Sequence, residues 1–360
     1  MTKKILITNP FGIGDVIFST PLIETLKKYY PDSYIGYVCN RRVSDLISTN
    51  LFLNKIFVYE KDEYREIWQH SKIKCLLKII SFLKGIKKEK FDISIDLSLN
   101  YQYSMFFKII GIKKRVGFNY RNRGRFLTDK IDIESFDDKH VVEYYLDVLR
   151  LLGIDASKTA VSPKIYASQE SLRFGERFLE KNNIAKTDLL IGIIPGCGAS
   201  WGIDAGLRRW DRKKFAQLAD KLIDKYRSKI VLLGNPKEAD ICGEVQSLAK
   251  DRVINYCGKT SIEELIGILT KCKLVITNEG GLLHMATGLG IKTVSIFGPV
   301  NEATYGPYPQ SADHIVLAKK DLPCRPCYKK FKYTDCDKKL CLETITVDEV
   351  LHAAEEALKR

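Results

Sequence analysis

Three short stretches hold residues whose types and spacing could do chemistry. In Asn9-Pro10-Phe11-Gly12-Ile13-Gly14-Asp15 a carboxylate follows two glycines, between an apolar run and a helical pattern. Asp15 falls on the first turn of that helix, where the dipole favours negative charge by about 0.3–1 kcal/mol when exposed. A carboxylate there, at the carboxyl end of a strand and facing a cleft, is placed to act as a general base. A plain helix cap is the competing reading. The glycines allow a tight turn and close backbone approach, with Gly14 a candidate acceptor contact. They are not a dinucleotide fingerprint, because Ile17 stands where G-x-G-x-x-G needs its third glycine.

The second stretch, Pro195-Gly196-Cys197-Gly198-Ala199-Ser200, is a loop of small residues whose amides could cradle phosphate oxygens. Arg208 and Arg209 follow it and could neutralise a pyrophosphate through charge-assisted hydrogen bonds. An ordinary turn with two exposed arginines is the alternative. The third stretch is Thr277-Asn278-Glu279-Gly280-Gly281-Leu282-Leu283-His284. A strand breaks there at a carboxylate and two glycines, and a helix begins whose amides would face an anion. His284 either orients this loop, contacts phosphate, or is a buried structural histidine.

The elements that must position these residues form two series. Lys4–Thr8, Tyr34–Val38 and Phe91–Leu97 read as buried strands, with a helix over Asp15–Tyr30 ending before Pro31. Leu189–Ile194, Ile230–Leu233, Leu274–Thr277 and Thr293–Phe297 read as four more, beside helical stretches near 213–227, 239–250, 262–272 and 283–289. Strands alternating with helices imply α/β units with parallel sheets covered on both faces. Two doubly wound domains are therefore expected, over 1–165 and 187–345. The segment 166–186 is expected to link them, and the helix over 346–360 to cap either one.

The order of these motifs resembles the ADP-heptose:lipopolysaccharide heptosyltransferases, glycosyltransferase family 9. Besides the three stretches it includes Gly234-Asn-Pro-x-Glu238, Gly258-Lys-Thr260-Ser261 and Phe297-Gly-Pro299. Arg115-Val-Gly-Phe118 and His140-x-x-Glu143-x-Tyr145-Leu146 are further echoes, so the resemblance spans nearly the whole chain. It implies two Rossmann-like domains in the GT-B arrangement, facing a cleft, with the acceptor on the first and a nucleotide-sugar on the second. Asp15 matches the catalytic base. Ser200 and Arg208 match donor-phosphate contacts, Glu238 a carboxylate on the ribose, and Thr260 a neighbour of the base. Glu279, Gly280, Gly281 and His284 would surround the pyrophosphate and sugar. Three departures touch this site: the family more often has Asp-Ser/Thr-Gly-Pro where this chain has Glu279-Gly280-Gly281-Leu282, more often Lys where it has Arg208, and a shorter loop between Ser200 and Arg208.

The resemblance implies an inverting transfer of heptose, or a related sugar, from an ADP-sugar to an anionic glycolipid acceptor of the lipopolysaccharide-core type. A diphosphate is already a good leaving group, and helix amides with Arg208 or Arg209 can take up its charge without a divalent metal. No Asp-x-Asp metal motif stands in a suitable loop, and no catalytic cofactor is expected. Two other readings stay open. One is a transferase of the same fold that uses another nucleotide-sugar, or a protein or polysaccharide acceptor. The other is a binding protein for nucleotide-sugar or nucleic acid without catalysis.

Composition narrows the partners. The 360 residues carry a formal net charge of +14 and 45% hydrophobic residues, an ordinary globular composition with an appetite for polyanions. No helix-turn-helix or aromatic-basic RNA signature appears, so nucleic acid is not the expected partner. Lys113, Lys114, Arg115, Arg121 and Arg123 lie in a run from Lys108 to Arg125 free of acidic residues, the candidate acceptor surface. Lys72–Lys90 sets Ile73, Leu76, Leu77, Ile80 and Leu83 at helical spacing among lysines. Such a helix either covers a sheet or lies on an anionic bilayer. No secretory signal or spanning run is seen, so a cytoplasmic enzyme, peripheral on the inner membrane, is expected. Four of the ten cysteines, Cys324, Cys327, Cys336 and Cys341, crowd one segment. In a reducing compartment they are candidate ligands for structural zinc or iron, with packed free thiols the alternative.

Overall fold

The computed structural model describes residues 2–156, 159–198, 202–250 and 253–360. The chain divides into two compact units, Met1–Pro163 and Lys164–Arg360. In the first, β1 (Lys4–Thr8), β2 (Tyr34–Cys39), β3 (Lys55–Val58), β4 (Ile93–Asp96), β5 (Lys114–Tyr120) and β6 (Asp129–Ile133) form one sheet in the order β3-β2-β1-β4-β5-β6. In the second, β7 (Leu190–Ile194), β8 (Lys229–Leu232), β9 (Val253–Asn255), β10 (Leu274–Asn278), β11 (Lys292–Phe297) and β12 (His314–Ala318) pair as β12-β11-β10-β7-β8-β9. Every pairing is parallel. Both sheets therefore have the doubly wound order in which the chain reverses direction beside its first strand. That switch point lies between β1 and β4 in one unit and between β7 and β10 in the other, and it is where such sheets bind ligands.

The strands read from sequence are present, shifted by a residue or two at their ends. The central strands are recognisable because they are buried on both faces: Ile5, Leu6 and Ile7 in β1 and Leu274, Val275 and Ile276 in β10 are all fully buried. The helix expected over Asp15–Tyr30 is two helices, Ile13–Phe18 and Thr20–Tyr29. Pro21 has no N–H to offer the carbonyl of Ile17, and the hydroxyl of Thr20 donates to that oxygen instead at 2.8 Å. The Ser19 hydroxyl likewise donates to Val16 at 2.7 Å.

The segment 166–186, expected to link the two domains, is itself structured. It contains the helix Gln169–Lys181, which belongs to the second unit and packs on the helix Ile262–Leu269 so closely that Gly175 and Gly267 face each other's backbone. The helix Val347–Lys359 also belongs to the second unit, burying Val350, Ala353, Ala354 and Ala357 in its core.

Candidate active site

In the second unit, four loops that leave the carboxyl ends of β7, β8, β9 and β10 are tied into one body. Asn278, the last residue of β10, is fully buried and holds two of them. Its Nδ2 donates to the carbonyls of Pro195 (2.8 Å) and Gly196 (3.1 Å), and its Oδ1 accepts from the amide of Trp210 at 3.0 Å. Trp210 is buried in turn, and its indole donates to Ile345 at 3.0 Å. Gly280 approaches the β7 loop so closely that a Cβ there would lie 2.5 Å from the carbonyl oxygen of Cys197. Only glycine permits that contact.

Arg208 ends the short 3-10 helix Gly202–Arg208 and turns inward. Its Nη1 donates to Glu279 at 2.8 Å, and both side chains are almost wholly buried, 4% and 9% exposed. Burial works against the guanidinium charge, but Glu279 beside it raises the pKa above the ordinary arginine value. A buried ion pair of this kind was not the expectation, which set Arg208 against donor phosphate and Glu279 beside the sugar. Arg209, half-buried next to it, has its Nε enclosed with no hydrogen-bond partner among the described residues.

Glu238, expected at the donor ribose, is tied to the same loops. It is 1% exposed, and its Oε1 accepts from the amides of Cys197 and Gly198, both at 2.8 Å. Its Oε2 accepts from the amide (3.0 Å) and side chain (2.6 Å) of Asn235. These four N–H groups on one carboxylate fix the shape of the β7 and β8 loops. The β9 loop joins through Gly258, whose amide donates to Gly234 at 3.0 Å in a left-handed turn (φ +71°). Thr260 is half-exposed just beyond that turn, before Ser261 caps the helix Ile262–Leu269. His284 is buried in the helix Gly281–Gly288, whose first residues carry no side-chain cap at Gly280. Ser200 lies outside the described residues.

In the first unit the equivalent position carries Asp15. The N-cap of its helix is Gly12, so Asp15 sits three residues into the first turn, half-exposed, and is not itself the cap. Asn9, fully buried, donates from Nδ2 to the carbonyl of Asp15 at 3.0 Å and accepts from the amide of Phe11 at 3.2 Å. Asn40, just after β2, donates to the carbonyls of Pro10 (3.1 Å) and Phe11 (2.7 Å). The neighbouring strand across the switch point ends at Asp96, in register with Thr8. Sequence reading passed over Asn9, Asn40 and Asn278 as site residues. The signal was an asparagine at or just past the end of a buried strand, in Thr8-Asn9 and Thr277-Asn278 alike.

The model of glycosyltransferase family 9 (heptosyltransferase) matches residues 79–336. The chain belongs to this family. It is 26% identical over 363 aligned residues to lipooligosaccharide heptosyltransferase 2 of Campylobacter jejuni, which covers 99% of this chain and 98% of that protein. Among solved structures it is similar to a glycosyl transferase family 9 protein from Veillonella parvula (TM-score 0.81, 25% identity, 99% and 97% of the two chains covered). It also matches the E. coli ADP-heptose lps heptosyltransferase II (TM-score 0.77, 21% identity, 99% and 98% covered). The likeness runs through both units, and the fold is the two-unit α/β GT-B fold.

Two further expectations for this glycosyltransferase meet the structure unevenly. Of the basic cluster, Lys113, Arg121 and Arg123 are exposed, the last two over the ring of Tyr120. Lys114 pairs with Asp129 at 2.8 Å, and Arg115 spends its guanidinium on the carbonyls of Phe126 (2.7 Å), Ile112 (2.5 Å) and Lys113 (3.0 Å). The reason is that Lys114 and Arg115 lie on the strand β5, where Lys114 faces Asp129 of β6 and Arg115 folds back on the flanking turns, whereas Lys113, Arg121 and Arg123 stand outside the strand.

The metal centre expected at the four cysteines finds no support in the structure. Among the described residues no three His, Cys, Asp or Glu side chains converge on one point. Cys327 donates instead to the carbonyl of Cys324 at 2.9 Å, and Cys336 accepts from the amide of Lys339 at 3.4 Å. Cys341 is built into the second core, and burial with its thiol neighbours pushes it up to about 11. Arranged in this way, the described thiols give no support to a tetrahedral site of four inward-turned thiolates.

Proposed function

We propose that the protein transfers a heptose from an ADP-sugar to a lipopolysaccharide-core type glycolipid, inverting the anomeric centre in one displacement without a metal. The observation that carries this reading is the matching placement of chemistry at the two switch points: Asp15 in one sheet, and the loop body around Asn278 and Gly280 in the other. The relatives' names supply the sugar, the nucleotide and the acceptor class.

In this reading the donor lies against the second unit, with its diphosphate at the amino end of the helix Gly281–Gly288, where unpaired amides and the dipole favour an anion. Arg209 is the cation left over for the leaving phosphate, since Arg208 is committed to Glu279. As the glycosidic bond breaks, charge builds on that phosphate and is met by donors already in place. Asp15 takes the proton of the acceptor hydroxyl as it attacks, a role usually worth about 10²–10⁴-fold. Glu238 and Asn278 hold the loops in shape. Lys113, Arg121 and Arg123 remain to meet acidic groups of the acceptor. The enzyme would work at a cytoplasmic membrane face, where such an acceptor is carried.

The test is calorimetric titration with ADP, UDP, GDP and ADP-heptose, paired with turnover on a deacylated core acceptor. The expected result is preference for ADP, retained in Asp15→Asn, with turnover in that variant down by at least about 10². Preference for UDP or GDP would overturn the donor, and undiminished turnover in Asp15→Asn would overturn the base.

A further inference from the structure

The helix Lys72–Glu89 is anchored by one face and leaves another apolar face in water. Cys75 and Ile86 are buried in the first unit's aromatic core, with Ile79, Phe82 and Leu83 packed against it. On the outward side Ile73, Leu76, Leu77 and Ile80 are 74%, 55%, 60% and 38% exposed, at helical spacing. Trp68, in the preceding helix Lys61–His70, is 51% exposed and lies under the ammonium of Lys72, 5.8 Å from its ring centroid. None of these side chains adds to the core, so the fold alone does not account for them.

The charge on this helix is one-sided. Lys72, Lys74, Lys84, Lys87 and Lys88 are exposed and make no ion pair among the described residues. Lys78, on the flank nearer the core, is tied to Glu63. The helix's one carboxylate, Glu89, is held by Lys55 at 2.6 Å and by the Tyr34 hydroxyl at 3.1 Å. By helical geometry Lys84 and Lys88 share the outward sector with Ile73, Leu77 and Ile80. The outward face is thus apolar in its first half and cationic in its second. No helix among the described residues is long and apolar enough to cross a membrane.

We propose that this face docks the enzyme on an anionic lipid surface, with the helix lying in the interface. The apolar side chains enter the acyl boundary, Trp68 sits at headgroup depth, and the lysines meet lipid phosphates. Pairing of two copies through this face would set lysine rows against each other, and a nucleic acid would leave the isoleucines and leucines in water. The proposal rests on the reading that the acceptor is a glycolipid, because docking would bring the active site to a substrate confined to the bilayer.

The experiment is flotation of the whole protein with phosphatidylcholine vesicles, with and without phosphatidylglycerol. The variants are Ile73→Ser with Leu77→Ser, and Lys84→Glu with Lys88→Glu. Wild type should float with the anionic vesicles only, and less so as salt rises. Each double variant should bind at least about tenfold more weakly. Transfer to a deacylated soluble acceptor should be unchanged in both variants, while transfer to acceptor embedded in anionic vesicles falls. The proposal is overturned if wild type ignores anionic vesicles, or if both variants float as well as wild type. It is also overturned if the apolar variant merely turns a dimer into a monomer without altering flotation. Failure of wild type to modify the soluble acceptor would instead sink the functional reading and leave the lipid result standing.

Discussion

Arg208 and Glu279, seventy-one residues apart, form a buried ion pair at 2.8 Å. They are also two of the donor-site positions where the resemblance drawn from the sequence would place other residues, Asp for Glu279 and Lys for Arg208. The pairing of these two residue types has a physical reason. The longer acid reaches a guanidinium that also points its Nη2 at the carbonyl of Cys197, 3.4 Å away, and so bridges the β7 and β10 loops. An ammonium has no planar fork with which to do both.

A double-mutant cycle on this pair should therefore show strong coupling. Glu279→Gln leaves a buried guanidinium without its counter-charge, and about 3–5 kcal/mol of stability should be lost. Arg208→Lys and Glu279→Asp should each be harmful alone. Together they should recover about 1–3 kcal/mol of the summed loss, read by urea unfolding. Strict additivity of the two single changes would show that the pair does not act as a unit.

Glu238→Gln tests whether this carboxylate shapes the donor loop. The replacement amide must turn an N–H₂ group toward N–H donors from Cys197, Gly198 or Asn235, leaving at least one buried amide unsatisfied. The expected loss of stability is about 2–3 kcal/mol, with weaker ADP binding because the loop is no longer held. A variant of native stability that loses ribonucleotide affinity, yet keeps its affinity for pyrophosphate alone, would return Glu238 to direct contact with the ribose.

The fold was legible because both sheets are parallel and buried on two sides, so Ile5–Ile7 and Leu274–Ile276 stand out as short apolar runs. Edge strands were harder to see. β6 (Asp129–Ile133) alternates charged and apolar residues, and β3 starts at an exposed lysine, so neither resembles a buried run. The positions of Asp15, Glu279 and the glycines could be read from strand-to-helix junctions. Their partners could not, because the pairing of Arg208 with Glu279, or of Glu238 with Cys197, depends on which loops the sheet order brings together. Arg115 shows the same limit: its charge was visible in the sequence, but its commitment to three backbone carbonyls was not.

Gly280→Ala should damage the donor site through backbone contact alone. The new methyl would lie 2.5 Å from the Cys197 oxygen, so the turn must move away from the β7 loop. Overpacking of this sort typically costs about 1–3 kcal/mol. ADP affinity should fall about tenfold or more, equivalent to at least about 1.4 kcal/mol. Calorimetry that finds wild-type affinity in a folded variant would show that this close approach does not define the site.

Asp96 should make the stability of the first unit depend on pH. It ends β4 beside Thr8, and burial pushes its pKa up to about 6, against hydrogen bonds from Ser98 and the Ser104 amide that pull it down. Between roughly pH 4 and 6 the folded form then holds a proton that the unfolded chain has released, so stability is highest below that window and declines as pH rises through it. A shift of about two units corresponds to about 3 kcal/mol. Asp96→Asn cannot ionise, and its Oδ1 can still accept from the Ser98 amide, which donates to Asp96 at 2.9 Å. Its stability relative to wild type should therefore climb by up to about 3 kcal/mol from pH 4 to pH 7, measured by urea unfolding at each pH. Parallel stability curves for the two proteins would mean that Asp96 ionises as freely when folded as when unfolded.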